Sequence, residues 1–251
     1  MANQQATTAA NASTNPLWFT PPDEQEPHRR TLTRERVVSE ALAVIGAEGL
    51  GALSMRALAT NLGVVPGALY RHVRSKEQLH DLILDAVLAE VDCSLDASLT
   101  WTEQVTVLAQ RLRTVLEDHP GIAGLLKTRD PLSPHSLALA EAFLAPLHAA
   151  GLPERQTALA FRLIYDYTLG FALSDRTSAS EQRVQDATTR RQLRAFLRSL
   201  PADRFPVLAS HGEHVWITDR NERFTASLHT LIAGLQPPPA PHQRGGRRPP
   251  S

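Results

Sequence analysis

A chain of 251 residues is long enough for two domains, and its 42% apolar and 21% charged residues indicate a globular protein rather than a disordered one. The net charge is zero, so overall charge does not point to nucleic acid, and neither a membrane-spanning run nor a secretory leader is recognisable. A single cysteine, Cys93, cannot form an internal disulfide. These features predict a cytoplasmic protein without a membrane partner.

The two ends of the chain differ from the region between them. Residues 1–28 are polar and aperiodic, and residues 236–251 are rich in proline, glycine and arginine, so both are predicted to be disordered tails. Between them, apolar residues recur at spacings of three and four, which is the period of an α-helix, and alternating runs typical of strands are missing. We therefore predict an all-α fold.

The first four predicted helices are short and clearly bounded. Gly63 supplies a tight turn between the second and third helices, and Pro66 suits the first position of the third. Ser75 and Gln78 have the spacing of a capping box at the start of the fourth. The predicted helices run from near Thr31 to Glu48, from Ser54 to Leu62, from Pro66 to about Val73, and onward from Ser75.

The segment from Leu53 to Lys76 has the pattern of a helix-turn-helix. Its apolar residues can close a small core beneath two helices that meet at a steep angle: Leu58, Leu62, Val64, Leu69 and Val73. The helix predicted to begin at Pro66 directs residues 68 and 70–72 away from this core, and a short helix of this width fits the major groove of B-DNA. Between residues 29 and 81, eight cations against five anions leave a local excess of three positive charges.

The later helices are predicted from capping signals and apolar stripes. Thr100 and Glu103 form a second capping box, and the helix that follows ends near Asp118, before His119-Pro120-Gly121. Prolines that include Pro201 and Pro206 are interpreted as loop residues. The remaining helices are predicted at about 121–128, 134–150, 154–176, 181–199 and 218–235.

The segment Leu53-Ser-Met-Arg-Ala-Leu-Ala-Thr-Asn-Leu-Gly-Val, followed by Leu69-Tyr-Arg-His and Lys76, resembles the TetR family of transcriptional repressors. The resemblance implies a helix-turn-helix DNA-binding domain over residues 29–78 that binds an inverted-repeat operator in double-stranded DNA. Tyr70 and Lys76 would hold phosphates. The small residues at 66–68 offer few base contacts, so Arg71 is expected to carry more of the sequence reading. The implied DNA-binding residues are Arg56, Pro66, Gly67, Ala68, Tyr70, Arg71, His72 and Lys76.

The second half of the chain resembles the C-terminal domain of tetracycline repressors through Trp101, the stretch 119–131, Tyr167-Thr-Leu-Gly and residues 231–235, in the same order. The resemblance implies a ligand-binding and dimerisation domain over residues 79–235, with helices 154–176 and 218–235 pairing with their copies in a homodimer. Leu159, Leu163, Ile164 and Tyr167 form the apolar face of the first of these helices, and Phe224, Leu228, Leu231, Ile232 and Leu235 form that of the second.

The effector is expected to be a largely apolar small molecule that needs no metal or cofactor. Where tetracycline repressors hold a drug-bound magnesium ion, this chain has Leu125 and Ser174, and Leu108 stands where an amide would grip the drug. Leucine cannot ligate a hard cation. The expected pocket lining is Leu108, Leu112, Leu125, Leu139, Phe143 and Tyr165, with Thr128 and Arg129 as polar contacts; most apolar residues at helical spacing simply form core.

Other functions find less support in the sequence. No nucleophile-elbow, zinc-protease or P-loop motif is present, so the chain is not predicted to be an enzyme. His211, Glu213 and His214 could bind a metal, but no further ligand is placed, and a loop with incidental histidines is favoured. The alternative function is that of a DNA-architectural helix-turn-helix protein without an effector, which would not need so large a second domain.

Overall fold

Helices account for all the regular structure in the computed structural model of the chain, which describes residues 31–129, 132–174 and 186–235. In these ranges there are no strands, which confirms the all-α prediction. A short 3-10 helix (Leu50–Ala52) accompanies the α-helices. These are α1 (Arg34–Glu48), α2 (Met55–Asn61), α3 (Pro66–Leu69), α4 (Lys76–Leu88), α5 (Trp101–Asp118), α6 (Ile122–Thr128), α7 (Pro134–Ala149), α8 (Glu154–Leu173), α9 (Ala187–Arg198), α10 (Pro206–Trp216) and α11 (Arg220–Ala233).

The predicted capping residues Ser75 and Thr100 are the N-cap residues of α4 and α5, and their hydroxyl groups accept backbone N–H groups of the first turn. The Thr100 hydroxyl accepts the Glu103 N–H group while the Glu103 carboxylate accepts the Thr100 N–H group, so the capping box of α5 is reciprocal. At α4 the Ser75 hydroxyl accepts the Gln78 N–H group at 3.1 Å. The Gln78 side chain, however, accepts the backbone N–H group of Arg74 at 2.6 Å, instead of that of Ser75. The predicted capping box is therefore only half formed.

The region after residue 199 differs from the prediction. Residues 206–216, expected in a loop, form α10, so the loop predicted around His211 and His214 was wrong. Pro206 lies in the first turn of α10, where a backbone N–H group would have no hydrogen-bond acceptor within the helix. A proline, which has no N–H group, can therefore begin this helix without breaking it.

Several helix ends also differ from the predicted bounds. The α-helical part of α3 ends at Leu69, although the Val73 N–H group still donates to the Leu69 carbonyl at 2.9 Å and continues the turn. Helix α9 begins at Ala187 and α11 at Arg220, two or more residues later than predicted. Residues 1–30, 130–131, 175–185 and 236–251 lie outside the described residues, and with them both predicted tails, Arg29 and Arg30.

The described helices from α1 onward belong to one compact unit. Helices α5, α7 and α8 pack against one another and bury the largest apolar side chains of this part, which include Leu108, Leu112 and Phe143. Helix α4 runs through the domain boundary predicted at residue 78, and packs against α1 and also against α5, α6 and α7. The two predicted domains thus share a helix, and the exact boundary stays a prediction.

Candidate DNA-binding and ligand-binding sites

The helix-turn-helix is held together by the small core that its sequence predicted. Leu58, Leu69 and Val73 are completely buried, the other two predicted core residues, Leu62 and Val64, are half-buried, and α2 packs directly against α3. Gly63 joins the two helices with a φ of 67°, a left-handed conformation in which a side chain would be strained. This core leaves α3 with one face directed to solvent.

The residues predicted to bind DNA lie on α3 and on the segments beside it: Arg56 on α2, residues 70–72 just after α3, and Lys76 at the start of α4. Arg56, Arg71 and Lys76 are exposed and, within the described part of the chain, form no ion pair with an acidic side chain, so their charge is available to phosphates and bases. Tyr70 is 50% exposed, a high value for a large aromatic residue. Pro66 and Gly67 are also exposed, whereas Ala68 and His72 are half-buried.

A second candidate site is a pocket of about 190 Å³ between α4, α7 and α8. Leu139 and Tyr165, two of the predicted lining residues, lie in its wall. Sequence reasoning missed Phe161 and Arg162, although Phe161 lies four residues before Tyr165 and so on the same face of α8. The other lining residues are Leu88, Leu132, Ser136, Leu137 and Ala140.

Aromatic rings connect this pocket to the core behind it. The ring centroid of Phe161 lies 5.6 Å from that of Tyr165 and 5.9 Å from that of Phe143, distances at which tilted rings attract each other. Leu108, Leu112 and Leu125, the other predicted apolar contacts, are buried in the helical core. Their role towards a ligand stays a prediction.

The two polar residues predicted for the pocket have partners within the protein. The Thr128 hydroxyl donates to the Leu125 carbonyl at 3.0 Å, which completes the last turn of α6. Arg129 donates to Asp81 of α4, with Nη2 at 2.7 Å. Arg162, which pairs with Asp166 at 2.9 Å, is instead the charged group in the pocket wall.

The described residues include no group of three or more histidine, cysteine or acidic side chains placed to bind a metal ion. Glu213 is held by Arg194 at 2.7 Å and by Arg198 at 2.8 Å, which joins α9 to α10. The hydroxyl of Ser174 donates to the Gly170 carbonyl at 3.2 Å. None of the described helices is long and apolar enough to cross a membrane.

The helices predicted to form a dimer interface differ from each other. On α8, Leu159 and Leu163 are 53% and 43% exposed, as an uncovered interface requires, whereas Ile164 is buried and Tyr167 stacks on Phe224 within the subunit. On α11, by contrast, Phe224, Leu228 and Ile232 are buried within the subunit, so the predicted pairing face of this helix is largely used internally. The apolar stripe was recognised in the sequence, but a stripe cannot distinguish an intramolecular from an intermolecular partner.

Exposed basic side chains around a short helix, which a glycine turn sets against a second helix and which is joined to a helical domain with a pocket, define a helix-turn-helix DNA-binding regulator. Residues 37–82 match the model of bacterial regulatory proteins of the tetR family, and residues 96–237 match that of the tetracycline repressor-like C-terminal domain. The chain therefore belongs to the TetR family of transcriptional regulators.

Individual relatives agree with this assignment over most of the chain. A helix-turn-helix transcriptional regulator of Saccharopolyspora erythraea is 32% identical over 94% of this chain and 100% of its own length. The repressor DrrR1 of Streptomyces coeruleorubidus is 30% identical over 88% of this chain and 83% of its own. The apo structure of ActR from Streptomyces coelicolor covers 81% of this chain and 94% of its own, with 34% identity and a TM-score of 0.72, and ActR has also been solved with actinorhodin.

Proposed function

We propose that this chain is a repressor that binds an inverted-repeat operator as a homodimer, without catalytic activity, and releases it when a small molecule occupies the helical domain. The observation that carries the proposal is that Arg71 and Lys76 are exposed beside the recognition helix α3 and form no ion pair with an acidic side chain among the described residues. Residues 29–78 bind DNA, residues 79–235 bind the effector and the second subunit, and the protein acts in the cytoplasm. The repressor DrrR1, similar over most of both chains, supports the direction of control.

The test for operator binding is a footprint on the DNA that flanks the gene for this protein. A two-fold dimer should protect two symmetric half-sites whose centres lie about one helical turn or somewhat more apart. The control is the double variant Arg71→Ala with Lys76→Ala, which should lose the footprint while keeping its helical content. An asymmetric footprint, or one that survives in the double variant, contradicts the proposal.

We further propose that the effector is largely apolar and binds without a divalent ion. The pocket between α4, α7 and α8 is lined mainly by leucines and aromatic rings, and Arg162 offers one charged contact at its wall. Leu125 is buried and Ser174 bonds to its own helix, so neither supports the magnesium site of a tetracycline repressor. The ActR complex with actinorhodin supports an organic small molecule as the effector.

This prediction can be tested with two probes in one assay. An uncharged hydrophobic compound small enough for the pocket should release the footprinted DNA equally well with and without EDTA, whereas tetracycline with magnesium should not release it. The variant Ala140→Phe, which fills part of the pocket of about 190 Å³, should bind DNA normally but lose the response. Release by tetracycline that EDTA abolishes would show that the effector prediction is wrong.

A further inference from the structure

A groove of about 500 Å³ lies between α1, α4 and α7. It shares no lining residue with the pocket between α4, α7 and α8. Pockets that hold organic ligands have volumes of about 300 to 1,000 Å³, so the groove is large enough for such a molecule. Its lining residues are Arg34, Glu35, Val38, Ser39, Leu42, Leu82, Asp85, Ala86 and His135.

The apolar part of the groove comes from two facing helices. Val38 and Leu42 lie four residues apart on α1, and Leu82 and Ala86 lie four residues apart on α4, so each pair shares one face of its helix. Leu42, Leu82 and Ala86 are only half-buried. The groove therefore keeps apolar surface in contact with water, and an apolar molecule that covers this surface is stabilised by its burial.

One end of the groove contains an imidazole whose orientation is fixed. Oδ1 of Asp85 accepts the backbone N–H group of His135 at 2.9 Å, and its Oδ2 atom lies 3.0 Å from Nδ1 of that histidine. Burial raises the pKa of Asp85, but hydrogen bonds from Ser133 and His135 outweigh it and leave the pKa below its ordinary value. The charged carboxylate accepts the Nδ1 proton, and in a neutral imidazole this leaves Nε2 as a hydrogen-bond acceptor.

The Nε2 atom of His135 has no hydrogen-bond partner among the described residues, and the side chain is 49% exposed. The other charged residues of the groove do not favour an ion of either sign. Arg34 and Glu35 are adjacent and opposite in charge, and both oxygens of Asp85 already accept from His135. The groove thus combines an apolar wall with one available acceptor, which suits an uncharged molecule that carries one donor.

We propose that the groove between α1, α4 and α7 is a second small-molecule site, which binds an uncharged aromatic compound whose phenolic hydroxyl donates to Nε2 of His135. A phenolic hydroxyl is more acidic than an aliphatic one and is therefore the stronger donor to an imidazole nitrogen. The site is separate from the proposed effector pocket and goes beyond the proposed function. Because α1 belongs to the predicted DNA-binding domain and α7 to the ligand-binding domain, the bound molecule contacts both.

The first test measures the contribution of the hydroxyl by equilibrium dialysis of the full chain with 2-naphthol. The control compound is 2-methylnaphthalene, which has a methyl group in place of the hydroxyl. At about pH 8, where an ordinary imidazole is neutral, 2-naphthol should bind about tenfold more tightly. His135→Phe keeps a ring but removes the acceptor, so it should weaken 2-naphthol about tenfold and change 2-methylnaphthalene less than about twofold. Equal affinities of the two compounds for the unmodified protein would overturn the proposal.

The second test locates the bound compound. Ser39→Phe, at an exposed position of α1, fills part of the groove and should weaken 2-naphthol more than about tenfold. The matched control Ala140→Phe fills the other pocket and should leave the affinity unchanged. Thermal unfolding should show that both variants are folded. Binding that Ala140→Phe removes and Ser39→Phe leaves intact, or no saturable binding by the unmodified protein, would overturn the site. Neither test uses operator DNA, so failure of the proposed function is distinguished from failure of this site.

Discussion

Arg71 and Lys76 carry two different parts of DNA recognition. Arg71 is exposed on the recognition turn, and Lys76 begins α4 just beyond it. We predict that Arg71→Ala relaxes the sequence preference at one base pair, at a cost of about 1 to 3 kcal/mol, because a bidentate contact to a base edge is lost. Lys76→Ala should weaken binding to all sequences alike and lower the salt slope by about one. Titrations on operator variants at several salt concentrations separate these effects, and exchanged roles would contradict the assignment.

His80 makes the stability of the protein depend on pH. Its Nε2 atom is buried without a hydrogen-bond partner among the described residues. Burial, and then the charges of Lys76 and Arg129, lower the pKa of His80 below its usual value of 6.5. The unfolded chain therefore takes up a proton at a higher pH than the folded chain does. Stability is complete above this usual value and falls as the pH drops through it towards the lowered pKa.

We predict that His80→Gln reduces this loss of stability in acid. Thermal unfolding measured between about pH 7.5 and about pH 5.5 should show a smaller fall of Tm in the variant than in the unmodified protein. The matched control is His148→Gln, an exposed histidine on α7, which should leave the fall unchanged. Equal pH profiles for His80→Gln and the unmodified protein would contradict the prediction.

At the scale of helices, a shared carboxylate fixes α11 against α5 and α8. Oε1 of Glu117 accepts from Arg113 at 2.8 Å and from Arg220 at 3.2 Å, and both arginines lie over the ring of Phe171. Glu117→Ala leaves two largely buried guanidinium groups beside each other without this carboxylate. We expect a loss of about 3 kcal/mol in the free energy of unfolding, measured in urea.

The exposed pair of Asp166 and Arg162 on α8 provides the comparison for that measurement. Asp166→Ala should cost less than about 1 kcal/mol, since water screens both groups. Similar losses in Asp166→Ala and Glu117→Ala would mean that burial does not determine the strength of the Glu117 network.

At the scale of the whole molecule, the exposed leucines of α8 predict where the second subunit binds. Leu159 and Leu163 lie four residues apart on one face of α8, and about half of each residue is exposed in the single chain. The variant Leu159→Asp with Leu163→Asp should be a folded monomer that binds the operator poorly, because a monomer has one helix-turn-helix and contacts only one half-site. Sedimentation at micromolar concentration measures the change, with Val207→Asp on α10 as the control. A dimeric double variant would place the interface elsewhere.

The sequence by itself determined the local structure and the kind of protein. Ser54, Gly63 and Pro66 specify where helices begin, turn and end through contacts within a few residues, and the helix-turn-helix core follows from their spacing. The family resemblance then implied which residues of this segment contact DNA. Local rules were insufficient at Pro206, because proline favours a loop and a first helical turn alike, and the apolar residues around it did not repeat strongly enough to decide.

Tertiary structure alone decided which side chains meet across large distances in the chain. Arg129 was predicted to contact a ligand, yet it pairs with Asp81, 48 residues away. The apolar stripe of α11 was predicted to face a second subunit, yet Phe224 and Leu228 pack within their own. Helical periodicity determines which residues share a face, but what that face contacts depends on how all the helices pack. A charged or apolar side chain can contact its own chain as well as a ligand or a second subunit, so the sequence does not distinguish these cases.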